Sequence, residues 1–422
     1  MRFLLRHRAF ARLWFASTIS QLGTQVTVLV VPLVALKLLH ANTFQVSALG
    51  VAEFLPFILV GLQAGAILDR RERKPIMLWC DLVRAAALAA IPVAWGLGML
   101  HLWLLYVVVF MVGVATVFFD VSAQSITPDI VALVDLGDAN QTVAAAESVA
   151  RTAGPGIGGL LLAVVSAPVA ILVDVVSYVA SFWLLLGVHP VQVEREADDG
   201  KPPPLRQQIG EGFSFLRNHP TLRPLLVCTA TGNLAAHIQH AVLITFMVRT
   251  LHYSSALIGA MFMVGNVGVI VGAAQSVRVT RLLGLGKMLW LMSLICGIVS
   301  VVVALASGQF SIVALGIPWF LVTACSTIFN VGGLSYRQAA TPAHLRGRMN
   351  ATFRFFVWGA IPIGFLLGGV FGTLIGLRNT VFLSGVLTMI PFVFVLYSPM
   401  ADVTSLDDAL PATTPEDALV GD

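Results

Sequence analysis

Long apolar segments recur along almost the whole chain, separated by short polar connections. The core of a bilayer is about 30 Å thick, and an α-helix needs about 20 mainly apolar residues to cross it. Segments in lipid form helices because the bilayer core offers no partners for unpaired backbone N–H and C=O groups. The pattern therefore predicts twelve membrane-spanning helices, called spans one to twelve, at residues 12–38, 44–68, 75–98, 102–126, 140–164, 168–188, 224–248, 255–277, 287–306, 310–335, 350–374 and 379–398.

The composition is that of a membrane protein. Only 11% of the 422 residues are charged and 58% are hydrophobic, whereas about 25% of the residues in a soluble domain are charged. The basic stretch MRFLLRHRAFARLW precedes an apolar run that is too long for a cleaved signal peptide. The four cysteines lie in or beside predicted spans and form no CxxC pair, which favours packing roles over disulfides or metal ligands.

Positively charged residues fall almost entirely on one side of the predicted spans. If the spans alternate in direction, 19 Lys and Arg residues lie on the side of both termini, and only Lys37, Arg249 and Arg378 lie opposite. Cytoplasmic loops of membrane proteins are enriched in Lys and Arg. The bias predicts cytoplasmic termini and supports an even count of twelve. The basic isoelectric point, about 9.0, has the same origin and does not indicate a nucleic-acid partner.

Parts of the chain repeat after about 210 residues. VSALGVAEFLPFILVG at 46–61 resembles SSALIGAMFMVGNVGVIVG at 254–272, and the segments 127–159 and 341–369 also correspond. We therefore predict an all-α membrane fold of two parallel six-helix repeats, the layout of transporters that move two halves around a central site. The predicted domains are an N-terminal bundle (1–190), a cytoplasmic linker (191–223), a C-terminal bundle (224–400) and a disordered cytoplasmic tail (401–422). Within the linker, IGEGFSFLRNHP predicts a short helix at the membrane surface.

Six consecutive charged residues follow span two, in the stretch GAILDRRERKP at 65–75. The stretch resembles the loop signature of the major facilitator superfamily, although Glu72 stands where that family usually has Gly. The matching residues are Gly65, Asp69, Arg70, Arg73 and Lys74.

The predicted fifth span contains GPGIGG at 154–159, which resembles a signature of antiporter members of the same superfamily. Gly154, Pro155, Gly158 and Gly159 match, whereas Ala145 replaces an upstream Gly of the longer signature. Close helix packing is the alternative explanation, because small residues let membrane helices approach. The stretches VFFDVSAQSITPDIV, ILVDVVSY and EGFSFLRNHPTLR are similar to the macrolide- and siderophore-exporter branch, and the resemblance covers residues 5–400.

The resemblance implies that the charged loop is a gate. Asp69 would dock on the N-terminal end of span eleven, at Asn350 to Arg354, where the helix dipole attracts an anion. Arg73 would pair with Asp120 near the end of span four. Membrane anchoring is the alternative, and it explains the arginines but not Asp69, because acidic residues contribute little to orientation.

Polar residues form stripes on four spans that occupy equivalent places in the two repeats. Residues three or four positions apart share one face of a helix. In spans one, four, seven and ten the stripes are Ser17, Gln21, Thr24, Thr116, Asp120, Gln124, Thr229, Asn233, His237, His240, Thr323, Thr327 and Asn330. The resemblance makes these the cavity-lining spans, and hydrogen bonding between helices is the alternative. For the two histidines, the choice lies between substrate or proton binding and interhelical hydrogen bonds.

Acidic residues within the spans are candidates for proton coupling, because a charge inside a bilayer is costly. The candidates are Glu53, Glu147 and Asp174. Asp81 and Glu147 each have an arginine within one helical turn, whereas Glu53 has none and lies about 13 Å into span two. Glu53 is therefore the first candidate, and a protonated glutamic acid bonded to a neighbouring helix is the alternative.

Together these features predict a secondary transporter, without cofactor, metal or catalytic residues, that exports a bulky hydrophobic small molecule in exchange for protons. The chain lacks the GxxxxGK[ST], HExxH and GxSxG motifs, which argues against an ATP-driven pump or a hydrolase. We expect a monomer in the bacterial inner membrane whose partners are its substrate, protons and the lipid bilayer. The alternatives are an importer or lysolipid-type transporter on the same fold, a transporter-like sensor and a membrane enzyme.

Overall fold

The computed structural model describes residues 7–68, 71–131, 135–188, 205–307, 311–342, 345–405 and 408, and every regular element within them is helical. The α-helices are α1 Arg8–Lys37, α2 Thr43–Leu59, α3 Gly61–Leu68, α4 Arg73–Gly96, α5 Leu102–Ile130, α6 Leu136–Val164, α7 Ala167–Ala170, α8 Leu172–Leu186, α9 Leu205–Asn218, α10 Leu222–Arg249, α11 Ser255–Leu283, α12 Leu285–Ala304, α13 Ser311–Ala339, α14 Arg346–Leu374, α15 Leu377–Met389 and α16 Phe392–Leu396. We call α1–α8 the N-terminal set and α10–α16 the C-terminal set.

Nine helices or helix pairs in the described part of the chain are long and apolar enough to cross a membrane. They are α1, α4, α5, α7 with α8, α11, α12, most of α13, α14, and α15 with α16. The other three predicted spans fall on α2 with α3, on α6 and on α10. The helix α2 has only 17 residues, and the apolar part of α6 is the short stretch Ala153–Val164. The count of twelve spans and the repeat of two six-helix units therefore stay predictions.

Hydrogen bonds between helix ends define two ends of the bundle. We call the end at which α1 begins the near end and the end at which it finishes the far end. At the near end, Lys74 at the start of α4 donates to the Leu186 carbonyl at the end of α8, 2.8 Å away. At the far end, Arg378 at the start of α15 donates to the Ala304 carbonyl at the end of α12, 2.9 Å away.

The two sets meet at the far end. Lys37 of α1 donates to the hydroxyl of Ser255 in α11 at 2.8 Å, and Arg249 of α10 donates to the carbonyl of Ala41 at 2.7 Å. Beneath these bonds, an apolar cluster joins both sets through the buried residues Leu29, Leu33, Val242, Leu243, Phe246 and Met247. At the near end, no apolar cluster among the described residues combines buried members of both sets, although one cluster also includes Leu216 of α9. The far end is thus closed by shared packing of the two sets.

The helix α9 lies in the predicted linker and packs on the C-terminal set. Glu211 forms an ion pair with Arg348 of α14, and the Phe213 ring stacks on Phe356 with 5.7 Å between ring centroids. Leu216 is fully buried. The helix predicted within the linker is therefore present and is anchored to α14, and its position at the membrane surface stays a prediction.

The predicted tail is partly ordered at its beginning. A short 3-10 helix, Pro399–Asp402, follows α16, and the N–H of Gly286 donates to the Val403 carbonyl at 2.8 Å. The residues just after 400 therefore pack against the start of α12, where the sequence predicted disorder. Backbone pairing at the first turn of α12 explains the difference, because that turn has N–H groups without partners inside the helix.

Candidate functional site

A cavity of about 150 Å³ lies between the two sets, toward the near end. We call it the Arg354 cavity. The helices α2, α3 and α5 line it from the N-terminal set, and α14 lines it from the C-terminal set. Its lining residues are Phe57, Ile58, Gly61, Val117, Asp120, Val121, Gln124, Ala351, Arg354, Phe355, Trp358 and Gly359. Arg354 is eight residues from the start of α14, which places it about 12 Å inside the near end.

One wall of the Arg354 cavity is aromatic and cationic. The guanidinium of Arg354 lies over the Trp358 ring, 4.4 Å from its centroid, and the Phe57 ring meets Trp358 edge-on at 5.0 Å. Arg354 is exposed and donates no hydrogen bond to any residue that the structure describes. The ring contact therefore leaves the N–H donors of Arg354 available.

The opposite wall is polar and comes from the predicted stripe on span four. Asp120 and Gln124 of α5 border the cavity, and Asp120 lies within electrostatic range of Arg354. The sequence predicted a cavity-lining role for Asp120 and Gln124. It named Arg354 only as part of the predicted docking end for Asp69, and it did not single out Phe57 or Trp358. Only their position across from α5 distinguishes these two aromatic residues from others in the apolar spans.

Glu53 lies one helical turn beyond Phe57, on the same face of α2. Its side chain is half-buried and forms no hydrogen bond or ion pair within the described residues. The Glu53 carbonyl packs against Gly113 of α5. A Cβ atom added at Gly113 would lie only 2.5 Å from this carbonyl oxygen. The first proton-coupling candidate is thus one helical turn from the cavity-lining Phe57, and its backbone packs against α5.

The two histidines of α10 belong to an aromatic cluster at the junction of the sets. The rings of His237 and His240 stack at 5.4 Å, and His237 also meets Phe54 of α2 and Phe365 of α14. The imidazole of His240 lies 5.3 Å from Trp319 of α13. His237 also bonds the Asn233 carbonyl of its own helix through Nδ1, at 2.8 Å. These contacts fit both interpretations of the histidines, substrate or proton binding and bonding between helices.

Several stripe residues hydrogen-bond to a neighbouring helix. Thr24 bonds the Tyr178 hydroxyl at 2.8 Å, and Asn233 donates to the Val357 carbonyl at 2.6 Å. Thr323 donates to the Gly265 carbonyl of α11. These contacts favour the interhelical alternative for these positions.

Most of the remaining stripe residues bond within their own helix or are half-buried, and Gln21 contacts a neighbouring helix. Thr229, Thr327 and Asn330 donate to carbonyls one turn earlier. The carbonyl of Ser17 accepts from Ser20, and Thr116 is half-buried in α5. Gln21 reaches across to Glu147, with its Nε2 atom 3.4 Å from the carboxylate.

Asp174 is the most enclosed of the three acidic candidates. Its carboxylate is fully buried and accepts hydrogen bonds from Thr27 at 2.5 Å and from Ser177 at 3.0 Å. Both donors belong to helices of the N-terminal set, so the group does not face the C-terminal set. This environment suits a structural acid, whereas the Glu53 side chain has no hydrogen-bond partner among the described residues.

A buried ion pair stabilises the N-terminal set. Asp81 and Arg84 of α4 form the ion pair that their spacing predicts. The Arg84 guanidinium lies between the rings of Phe119 and Tyr178, at 4.1 and 4.3 Å from their centroids. Glu147 has Arg151 four residues further on, also within about one helical turn, but the Arg151 side chain lies outside the described residues.

The structure gives Arg73 a different acidic partner from the predicted one. Its guanidinium forms an ion pair with Asp129, not with Asp120, and it donates to the Ser125 carbonyl at 3.0 Å. The pairing predicted from the resemblance is therefore wrong. The reason is that α5 continues to Ile130, beyond the predicted end at residue 126, and its last turn carries Asp129 to Arg73. Asp120 lies nine residues earlier, about 13 Å away along the helix.

The structure describes only part of the rest of the loop motif. Asp69 and Arg70 lie outside the described residues, so the predicted docking on Asn350 to Arg354 is not tested. Gly65 belongs to α3. Lys74 bonds the end of α8, as described above.

The GPGIGG segment lies where α6 packs between α1 and α11. A Cβ atom at Gly154 would clash with Gln25 of α1, and one at Gly158 would be 3.4 Å from the Cα of Val26. A Cβ atom at Gly159 would lie 2.8 Å from the Cα of Gly259 in α11. The motif glycines thus serve close packing both within the N-terminal set and between the two sets. Pro155 contributes its carbonyl, which would be 2.5 Å from a Cβ atom at Gly259.

A family model described as transmembrane secretion effector matches residues 4–420 of the chain. The multidrug efflux pump Tap of Mycobacterium tuberculosis is 26% identical over 377 residues, which cover 87% of this chain and 87% of the pump. Macrolide efflux protein A of Streptococcus pyogenes is 23% identical over 370 residues, covering 84% of this chain and 86% of that protein.

Two solved structures show the same fold. One is a bacterial homologue of the iron transporter ferroportin in an inward-facing state, with a TM-score of 0.71, 18% identity, and coverage of 92% of this chain and 98% of the other. The other is the nucleoside transporter NupG, with a TM-score of 0.71, 12% identity, and the same coverage of 92% and 98%. At these identities the likeness concerns the fold alone.

Proposed function

Because the chain belongs to the transmembrane secretion effector family of the major facilitator superfamily, we propose that it exports bulky hydrophobic small molecules in exchange for protons. Drug-like or macrolide-like compounds and siderophores are the proposed cargo. The relatives named as multidrug and macrolide efflux pumps support drug efflux, since each aligns with more than four-fifths of this chain. The proposed location is the bacterial inner membrane, with the near end and both termini in the cytoplasm.

The observation that carries the proposal is the asymmetry between the two ends. Leu29 and Leu33 of the N-terminal set share a buried apolar cluster with Phe246 and Met247 at the far end. The Arg354 cavity lies between the same two sets toward the near end. A site reached from one side while the other side is closed is what alternating access requires. In this proposal the closed far end is the periplasmic side.

Glu53 is the proposed proton carrier. It lies beside the Arg354 cavity and forms no bond to a described residue, so protonation would not have to break an existing ion pair. A carboxyl group within a membrane span is expensive to keep charged, and this favours exchange of a proton with the cavity. Glu147 and Asp174 remain secondary candidates, because Gln21 and a pair of hydroxyls, respectively, already engage them.

Everted membrane vesicles test the proposal directly. Vesicles from cells that produce the chain should accumulate a radiolabelled macrolide when an acid-inside pH gradient is imposed, and an uncoupler should abolish this accumulation. Vesicles from cells without the chain provide the control. Accumulation that persists after the gradient has collapsed would contradict proton coupling. No accumulation of any compound in a panel of drugs and siderophores would contradict export and favour the importer alternative.

A further inference from the structure

We propose that the Arg354 cavity is a binding subsite for a planar apolar ring that carries an acidic group. The inference rests on the proposed function, because it names the class of compound that the exporter would accept. The acidic group would bind the edge of the Arg354 guanidinium, and the ring would lie against Phe57 and Trp358.

The state of Arg354 is the first observation. A guanidinium has five N–H donors and always carries a positive charge. Here it is exposed toward the cavity and donates to no described residue, although it lies in a helix that is predicted to cross the membrane. The guanidinium carbon lies over the Trp358 ring, 4.4 Å from its centroid, and this contact holds Arg354 at the cavity wall. The free edge presents parallel donors, which match the two oxygens of a carboxylate.

The shape of the cavity is the second observation. Gly61 of α3 and Gly359 of α14 both line it, and an added Cβ atom at either position would meet nothing within 4 Å. Open space therefore lies next to the Phe57 and Trp358 rings, which face each other edge-on. Aromatic rings prefer offset-stacked or edge-to-face neighbours, so a flat ring fits between these walls and the glycines.

Asp120 and Gln124 shape the other side of the subsite. Asp120 attracts Arg354 across the cavity without a hydrogen bond between them, which leaves the guanidinium donors open. Asp120 has interactions of its own, so it is not a spare cation-binding group. An acidic ligand is therefore favoured over a basic one, because the unsatisfied donors belong to Arg354.

Matched probes of one shape and different charge test the inference. The probes are 2-naphthoate, its methyl ester and 2-naphthylmethylammonium, and equilibrium dialysis measures their binding to the purified full-length protein in detergent. We expect 2-naphthoate to bind at least tenfold more tightly than the ester or the amine. Arg354→Gln should remove this preference, and Arg354→Lys should restore only part of it because an ammonium lacks the planar fork. Equal binding of acid and ester, preferred binding of the amine, or an unchanged preference in Arg354→Gln would overturn the inference.

A second variant fills the cavity without disturbing the surrounding packing. Gly359→Leu should weaken the binding of both acid and ester at least tenfold, since the new side chain occupies the ring site. Replacing glycine within a helix does not oppose helix formation. Gly137→Leu is the matched control, because Gly137 in α6 is also open and lies outside the cavity. Unchanged naphthoate binding by Gly359→Leu would also refute the subsite.

The vesicle assay separates this inference from the proposed function. Vesicles that export a macrolide, together with purified protein that shows no preference for 2-naphthoate, refute the subsite alone. Vesicles that export no compound refute the proposed function, whatever the dialysis result.

Discussion

Gly159 of α6 and Gly259 of α11 pack backbone against backbone where the two helix sets meet. A Cβ atom at Gly159 would lie 2.8 Å from the Cα of Gly259, and one at Gly259 would lie 2.6 Å from the Cα of Gly159. Neither position has space for a side chain. The GPGIGG motif therefore does more than shape its own helix, since its last glycine is part of the closure of the far end.

Gly159→Ala should disfavour the far-end-closed arrangement. Overpacking of a close contact costs about 1–3 kcal/mol, which corresponds to a shift of about 5- to 150-fold in the equilibrium between conformations. Spin labels at the exposed positions Leu97 and Leu305, at the far ends of α4 and α12, report the opening as a longer distance between the two sets. Gly158→Ala is the control, because its nearest neighbour would be at an ordinary 3.4 Å. Equal label distances in both variants would contradict a role for Gly159 in closure.

Arg73 and Asp129 should behave as one unit in a double-mutant cycle. Arg73→Gln and Asp129→Asn should each lower the free energy of unfolding by about 1 kcal/mol. This is below the value of about 1.5–3 kcal/mol for a buried charged hydrogen bond, because both side chains retain some solvent contact. The double variant should lose no more than either single variant, as judged by thermal unfolding and macrolide efflux. Asp120→Asn is the matched control and should add independently to Arg73→Gln. Coupling of Arg73 to Asp120 instead would restore the pairing implied by the family resemblance.

Asp69→Asn tests the gate that the loop motif implies. We expect a strong loss of transport with a normal amount of folded protein in the membrane, because docking needs the anion whereas folding does not. Efflux and detergent-solubilised size-exclusion profiles measure the two effects separately. Full activity of Asp69→Asn would reduce the loop to a membrane anchor.

Glu53→Gln should impair proton coupling, whereas Asp174→Asn should impair folding. Glu53→Gln should abolish proton-driven efflux while substrate binding is retained, because glutamine has a similar shape but cannot carry the proton. Asp174→Asn should instead lower the yield of folded protein, since the loss of a buried hydrogen bond with Thr27 or Ser177 costs about 1–3 kcal/mol. Efflux driven by a pH gradient and folded yield are the two measurements. Normal coupled efflux by Glu53→Gln would eliminate this residue, and Glu147 would be the next candidate.

A cysteine introduced at Asp198 tests the predicted orientation. Asp198 belongs to the linker, which we expect in the cytoplasm, so impermeant thiol reagents should label it only after the cells are permeabilised. The four native cysteines are buried, and this keeps the background low. Labelling in intact cells would overturn the topology and would place the far end in the cytoplasm.

The positions of most spans could be predicted from the sequence because the physics that sets them is local. A segment of apolar residues in lipid has to close its own backbone hydrogen bonds, so its composition and length determine a helix. This holds for α1, α5 and α14, whose ends agree with the predicted spans one, four and eleven to within four residues. The Asp81–Arg84 pair was predictable for the same reason, since both partners lie within one turn of one helix.

Tertiary structure decided which side chains meet across helices. The three extra residues of helix that carry Asp129 to Arg73 cannot be read from the apolar pattern, because helix ends depend on neighbouring contacts. The polar stripes show the same limit. Thr24 and Thr323 turn toward neighbouring helices, whereas Asp120 and Gln124 border the cavity, although all four lie on similar stripes. Spacing determines that the residues of a stripe share a face, but the rotation of each helix in the bundle determines what that face meets.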